Sequence, residues 1–292
     1  MTISVAVIGT GAIGMDLINK IHRSLTLNCR LLAGRNQHSA GFDIAARFGY
    51  PTSADGIDAI LAAPEPFDVV FDATNAMSHV EHWERLRPLG TLLINLTPCH
   101  LGQMIVPTVT GADALTDRHV SLISCGGQAS IPIVHALSQR FQIEDIEVVA
   151  TVASNSVGRA TRINIDEYVE TTQIALSTFT GVPNTKAILN ISPAVPPAMF
   201  RVTIFAGIVG ATTEKVSSVV AAAADKVRAF APGYTLTACR VIDGRVFISL
   251  EVVASSKVMP EYAGNLDIIN SAAILVAEQY AAHQYQSQSL VV

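Results

Sequence analysis

The sequence predicts an α/β protein in two parts: a doubly wound parallel-sheet domain, then an α+β domain. Three observations predict this. A β-branched run, Ile3–Ile8, leads into a glycine-rich turn and then a helical repeat. Short apolar strands alternate with helices over residues 1–125, the order of a parallel sheet with crossover helices. Beyond that point the strands lengthen and partly alternate, as in an antiparallel sheet covered on one face.

Ile3–Ile8 reads as a buried strand, and Met15, Leu17, Ile18 and Ile21 recur at helical spacing after it. Cys29–Ala33 is a second strand. Gly41–Phe48 and Gly56–Leu61 read as helices. Phe67–Asp72 is an apolar strand, His79–Leu86 a helix and Leu92–Leu96 a further strand. In the second part, Ile146–Ser154, Ala187–Ile191, Phe200–Ala206 and Arg245–Val253 read as strands. Asp166–Phe179 and Thr213–Ala229 read as helices between them. The expected domains are 1–125 and 126–261. A C-terminal helix within about 262–292, its core Asn270–Ala281, packs back on the first domain.

Half of the 292 residues are hydrophobic and 15% are charged, so a large core is available. The mean hydropathy of +0.40 points to a subunit interface, hence a homodimer or larger assembly. No apolar run is long enough to span a bilayer. A net charge of −5 without a basic run argues against nucleic acid as a partner. Cys29, Cys99, Cys125 and Cys239 form no CxxC pair and no His/Cys cluster with zinc spacing, so no metal site is expected. Free thiols and the absence of a recognisable signal peptide predict a cytoplasmic protein.

Gly9-Thr10-Gly11-Ala12-Ile13-Gly14 has the strand-before, helix-after context of a Rossmann-type dinucleotide turn. Gly9 makes the turn, Gly11 lets the backbone approach a pyrophosphate, and Gly14 permits close packing. The second strand ends in Gly34-Arg35-Asn36, without the acid that selects an NAD ribose. Arg35 can stack on adenine or pair with a 2′-phosphate. NAD is the expected cofactor, but this strand end tilts it toward NADP or leaves NAD bound less selectively.

Cys125 lies in Ser124-Cys125-Gly126-Gly127-Gln128-Ala129-Ser130-Ile131-Pro132, between an apolar run and a helical one. At such a junction unpaired backbone N–H groups favour a thiolate. A rival is Cys99, beside His100, although neighbours on an extended chain point apart. His79 and His82, near Trp83 on an expected surface helix, read as solvated or packed rather than functional.

The chain resembles the acylating acetaldehyde dehydrogenases, the CoA-dependent partners of an aldolase in aromatic catabolism. The resemblance rests on Phe71-Asp72-Ala73-Thr74, Leu96-Thr97-Pro98, Cys125–Pro132, Thr161-Arg162-Ile163-Asn164-Ile165-Asp166-Glu167 and Tyr262-Ala263-Gly264-Asn265-Leu266-Asp267-Ile268, in that order. It implies that Cys125 is the acyl-thioester nucleophile, with backbone N–H groups or Asn164 as oxyanion donors. It implies pyrophosphate contacts from Thr10–Ile13. The segment Asn155, Ser156, Val157, Gly158, Arg159, Ala160, Thr161, Arg162 and Ile163, with Asn265, would approach the nicotinamide end. Asn164 and Ile165 would flank a passage that delivers aldehyde from an aldolase partner. CoA would be the co-substrate, and the second domain would carry dimer contacts.

The chain departs from that pattern. Asn36 stands where the family has an acid, Val195 replaces a glutamate, and Val202 replaces the aspartate implicated in activating the cysteine. Three readings follow. Another group (His100, Asp166, Glu167 or Glu261) is the base; or the helix terminus and cofactor ionise Cys125 unaided; or the chemistry is slow or altered. The two valines also suit a larger or aromatic aldehyde. A semialdehyde or acyl-phosphate type dehydrogenase, and a weakened cofactor-binding partner of an aldolase, are the competing functions.

Overall fold

A computed structural model describes residues 2–111 and 116–289, the side chains at 159, 160 and 286–289 apart. It divides into two compact units, Met1–Leu122 with Asn270–Val292, and Ile123–Ile269. Residues 262–269 belong to the second unit.

The first unit is built on a seven-stranded sheet in the order β3-β2-β1-β4-β5-β7-β6. Its strands are β1 (Ile3–Ile8), β2 (Leu27–Ala33), β3 (Thr52–Ser53), β4 (Val69–Asp72), β5 (Leu92–Asn95), β6 (Gln103–Met104) and β7 (His119–Ser121). All its pairings are parallel. Val5, Val7, Val69, Phe71, Leu92, Ile94 and Val120 are fully buried. Strands covered on both faces need such unbroken apolar runs. The connecting helices are α1 (Ala12–Ile21), α2 (Ala40–Arg47), α3 (Ile57–Leu61), α4 (Ala76–Leu86) and α5 (Pro107–Thr110). The strand order reverses between β1 and β4, which opens a crevice at their carboxyl ends. From Asn270 onward, α10 (Gly264–Ser289) joins this unit. Asn270 Nδ2 donates to Asp16 Oδ2 at 2.8 Å, Lys20 Nζ to Ser271 Oγ at 3.0 Å and Ser24 Oγ to Glu278 Oε1 at 2.6 Å.

The second unit holds α6 (Cys125–Ser138), β8 (Ile143–Ala153), α7 (Arg159–Ile163), α8 (Ile165–Thr180), β9 (Thr185–Ser192), β10 (Phe200–Ile208), α9 (Thr213–Arg228), β11 (Tyr234–Ile242) and β12 (Arg245–Val252). Its sheet runs β11-β12-β10-β8-β9. The expected antiparallel sheet is corrected to a mixed one, because β9 pairs parallel to β8. The intervening α8 supplies the crossover that a parallel pair needs. Ile146, Val148, Ala150, Val202, Ile204, Ile248 and Leu250 form the buried face, at most 1% exposed, and α6, α8 and α9 pack in this unit. Val149, Phe205 and Phe247, on the other face, are half-buried. Tyr234 is fully buried and its hydroxyl donates to the Ala129 carbonyl at 2.7 Å, tying β11 to α6.

Candidate active site

In the first unit, Gly9 sits at φ +116°, where a Cβ would lie 2.5 Å from the Ala73 carbonyl oxygen. A Cβ on Gly14 would come within 1.9 Å of the Gly9 carbonyl oxygen, so α1 packs directly on the turn. Gly11 is the opposite case: nothing lies within 4 Å of its missing Cβ. The turn is therefore closed toward the protein and open on its outer side.

That side faces a cavity of about 520 Å³ lined by Gly9, Thr10, Gly11, Arg35, Asn36 and, from the loop after β4, Thr74 among others. Ala12 and Ile13 do not line it; they form the first turn of α1, whose N-cap Gly11 has no side-chain cap. The amides of that turn remain available for an anion. Asp58 and Glu81, which also line the cavity, are paired with Arg85, whereas Arg35 has no ion pair among the described residues. An open glycine turn, an uncapped helix start and an uncommitted guanidinium fit a dinucleotide.

His82 also lines this cavity, and of the solvated and packed roles expected for it and His79 the packed one holds, on the inner face of a helix whose other face is exposed. Both are buried, and both donate through Nδ1 to Asp72 Oδ2 at 2.8 Å. His79 Nε2 lies 2.7 Å from His119 Nε2, and His119 stacks on Trp83. The two histidines are three residues apart, so one face of α4 carries both onto the end of β4.

In the second unit, Cys125 is the first residue of α6 and is half-buried. Two of the backbone amides around it already have partners. Gly126 N–H donates to Tyr168 Oη at 3.1 Å and Gly127 N–H to the N-cap Ser124 Oγ at 2.9 Å. Tyr168 Oη stands 3.6 Å from Cys125 Sγ. Burial pushes the Cys125 thiol up to about 11, against the lowering effect of Tyr168 and the Gly126 amide. Desolvation opposes the thiolate that the helix terminus favours. The approach to Cys125 is also strained, since Ile123 adopts φ +67°.

Asn164 caps the start of α8, one turn before Tyr168, and its side-chain amide has no hydrogen bond among the described residues. Asn155, Gly158, Arg162 and Ile163 are exposed, Thr161 half-buried, and Ser156 and Val157 buried. The side chains of Arg159 and Ala160 lie outside those described. Arg162 ties the segment together, donating to the Ser154 carbonyl at 2.8 Å and the Val157 carbonyl at 3.2 Å. Asn265 Nδ2 donates to the Ser156 carbonyl at 3.3 Å, while its Oδ1 is buried without a partner among the described residues. An orphaned acceptor beside this segment fits an amide-bearing ligand.

The family model described as prokaryotic acetaldehyde dehydrogenase, dimerisation, matches residues 125–260. An acetaldehyde dehydrogenase of Streptomyces griseus is 61% identical over 281 residues, covering 96% of this chain and 91% of its own. One from Pectobacterium atrosepticum is 43% identical over 97% of both chains. The chain belongs to the acetaldehyde dehydrogenase family. This membership makes it an oxidoreductase. Its fold is similar to the crystal structure of aspartate semialdehyde dehydrogenase II complexed with ASA from Vibrio cholerae. That match has a TM-score of 0.64 at 12% identity and covers 96% of this chain and all of that one.

Val202 is buried at 1% exposure and pairs in register with Ala150. A Cβ on Gly126 would lie 3.3 Å from the Ala150 methyl, so position 202 is one strand from the first turn of α6. Val195 is 94% exposed. Asp166 and Glu167 occupy the first turn of α8, and the residue of that helix that reaches Cys125 is Tyr168. Tyr168 was not legible as a site residue: it stands 43 positions from Cys125 and has no motif spacing to it. Cys99 is buried in the first unit, and Cys29 and Cys239 lie on strands β2 and β11.

Proposed function

We propose that the chain is a CoA-acylating aldehyde dehydrogenase that uses NAD, tolerates NADP, and acts on a small aldehyde. The observation that carries this reading is Cys125 at the first turn of α6 in a chain that also holds the open glycine turn. Family membership supports the substrate, and the cavity chemistry supports the cofactor. Gly9, Thr10, Gly11 and the first amides of α1 would hold the pyrophosphate, and Arg35 and Asn36 the adenosine side. Asn265 Oδ1 would accept from the carboxamide.

The Cys125 thiolate adds to the aldehyde carbon; the C–S bond forms and the carbonyl π pair moves to oxygen. That oxyanion needs a donor. Gly126 and Gly127 amides are already engaged, which leaves the Cys125 amide and the Asn164 side-chain amide for this role. A nicotinamide held at the glycine turn would supply the acceptor for the hydride on that carbon. The acyl group left on Cys125 is a thioester. Attack by a CoA thiolate at its carbonyl breaks the Cys125 S–C bond and returns the cysteine as thiolate.

The exposure of Ile163 and Ile165 around Asn164 supports docking of an aldolase partner there. The description of the matching family model as a dimerisation region supports a homodimer.

The test is CoA-dependent reduction of NAD and NADP with aldehydes from acetaldehyde to an aromatic one, beside Cys125→Ala. Turnover with short aldehydes, lost at least ~1,000-fold in Cys125→Ala, is expected. Cofactor binding without turnover on any aldehyde would overturn the reading in favour of a non-catalytic partner.

A further inference from the structure

Cys125 has one titratable side-chain neighbour among the described residues of its unit, the Tyr168 hydroxyl at 3.6 Å. The sheet beneath this turn presents Ala150 and, beside it, Val202, both apolar. Tyr168 is 3% exposed, so its hydroxyl cannot turn to bulk water.

The protons around it can be followed bond by bond. Gly126 N–H donates to Tyr168 Oη, so the oxygen is an acceptor there and its own proton points elsewhere. Thr172 Oγ1 donates to the Tyr168 carbonyl at 2.6 Å, and therefore accepts from Ser124 Oγ at 2.7 Å. The Ser124 proton is thus spent, and its oxygen already accepts the Gly127 amide. Two acceptors remain for the tyrosine proton: Ser124 Oγ, which lies against the tyrosine, and Cys125 Sγ. An ionised sulfur is the stronger of the two. Gly126 completes the arrangement: any Cβ there would sit 2.5 Å from Tyr168 Oη. The glycine makes room for the hydroxyl, not only for a substrate.

We propose that Tyr168 is a catalytic residue whose hydroxyl donates a hydrogen bond to the Cys125 thiolate, relaying to the sulfur the polarisation of the Gly126 amide. The tyrosine keeps its proton throughout; the thiol proton leaves to solvent. The bond is strongest when sulfur carries full charge, before addition to the aldehyde and again as the acyl group departs, and weakest in the neutral thioester. Burial holds the tyrosine neutral, as the role requires: its hydroxyl is pushed well above the ordinary phenol range. This rests on the assignment of Cys125 as nucleophile, but its test does not use turnover alone.

The full-length chain would be alkylated with iodoacetamide from pH 6 to 11, following modification of the Cys125 peptide by mass spectrometry. Tyr168→Phe is expected to raise the apparent pKa of that profile by about one unit and to lower the rate at pH 8 about tenfold. Site-specific 3-fluorotyrosine at 168, which keeps the shape and strengthens the donor, is expected to lower it by a few tenths. kcat/KM for the aldehyde should follow the same order. Profiles that superimpose for native and fluorinated tyrosine would overturn the proposal, even where Tyr168→Phe does not fold. Shifted profiles with turnover intact in Cys125→Ala would leave the hydrogen bond standing and overturn the function instead.

Discussion

Arg35 closes β2 where a carboxylate would otherwise meet a ribose. Its stem lies against Gly56, 3.4 Å from that residue's missing Cβ, so the side chain is steered along the cavity wall. A 2′-phosphate there would find an unpaired guanidinium, worth roughly 1.5–3 kcal/mol as a charge-assisted hydrogen bond. Arg35→Ala should weaken NADP about tenfold or more while changing NAD less than threefold, read by calorimetric titration of each. Equal losses would assign Arg35 to adenine instead. At this scale the sequence was informative wherever one residue type has one use: Gly9 and Gly14 for contact, Cys125 for its sulfur. It was uninformative about Tyr168, which becomes a partner of Cys125 only through the packing of α8 on α6.

Among the elements, β4 and α4 are joined through a buried polar cluster. Asp72 is buried with no exposure, and Thr74 donates to its other oxygen through both N and Oγ1. Burial opposes its charge, but His79 and His82 outweigh burial and hold the carboxyl well below the usual range. Burial, then His79, pushes His119 down to about 4. Between pH 6.5 and 4 the unfolded chain binds a proton at His119 that the fold refuses, so stability falls as pH falls through that window. The Asp72 contribution is complete above pH ~4 and is lost below it. Urea titrations from pH 7 to 4 should lose on the order of 2 kcal/mol from His119, and His119→Phe should flatten that limb. An unchanged limb would mean that His119 titrates normally. The elements themselves were largely readable, because buried parallel strands are short apolar runs and the helices carry periodic faces. α6 starts at Cys125, since Ser124 caps it through the Gly127 amide. β11 escaped notice because its sequence, with exposed Thr235, Thr237 and Arg240, buries little besides Tyr234.

For the whole molecule, the uncovered face of the second sheet is the place to seek self-association. Phe205 and Phe247 meet across β10 and β12 with centroids 5.5 Å apart, beside half-buried Val149 on β8. An apolar row on an open sheet face is unfavourable in water. Light scattering should give twice the 30.9 kDa chain mass, and Phe205→Arg or Val149→Arg should halve it without unfolding the protein. A monomeric native chain would refute the assembly, and intact dimers of both variants would move the interface elsewhere.

The left-handed turn at Ile123 has a consequence for anyone rewriting this sequence. Backbone ease alone recommends glycine there, since a β-branched residue in that conformation costs roughly 1–3 kcal/mol. Yet the isoleucine is 1% exposed, and its side chain lies against Gly127 in the first turn of α6. Burying it contributes about 1.5–3 kcal/mol, comparable to the strain. The awkward residue acts as an anchor. A redesign that chose comfort would gain a relaxed backbone and lose the fixed aim of the sulfur two residues on.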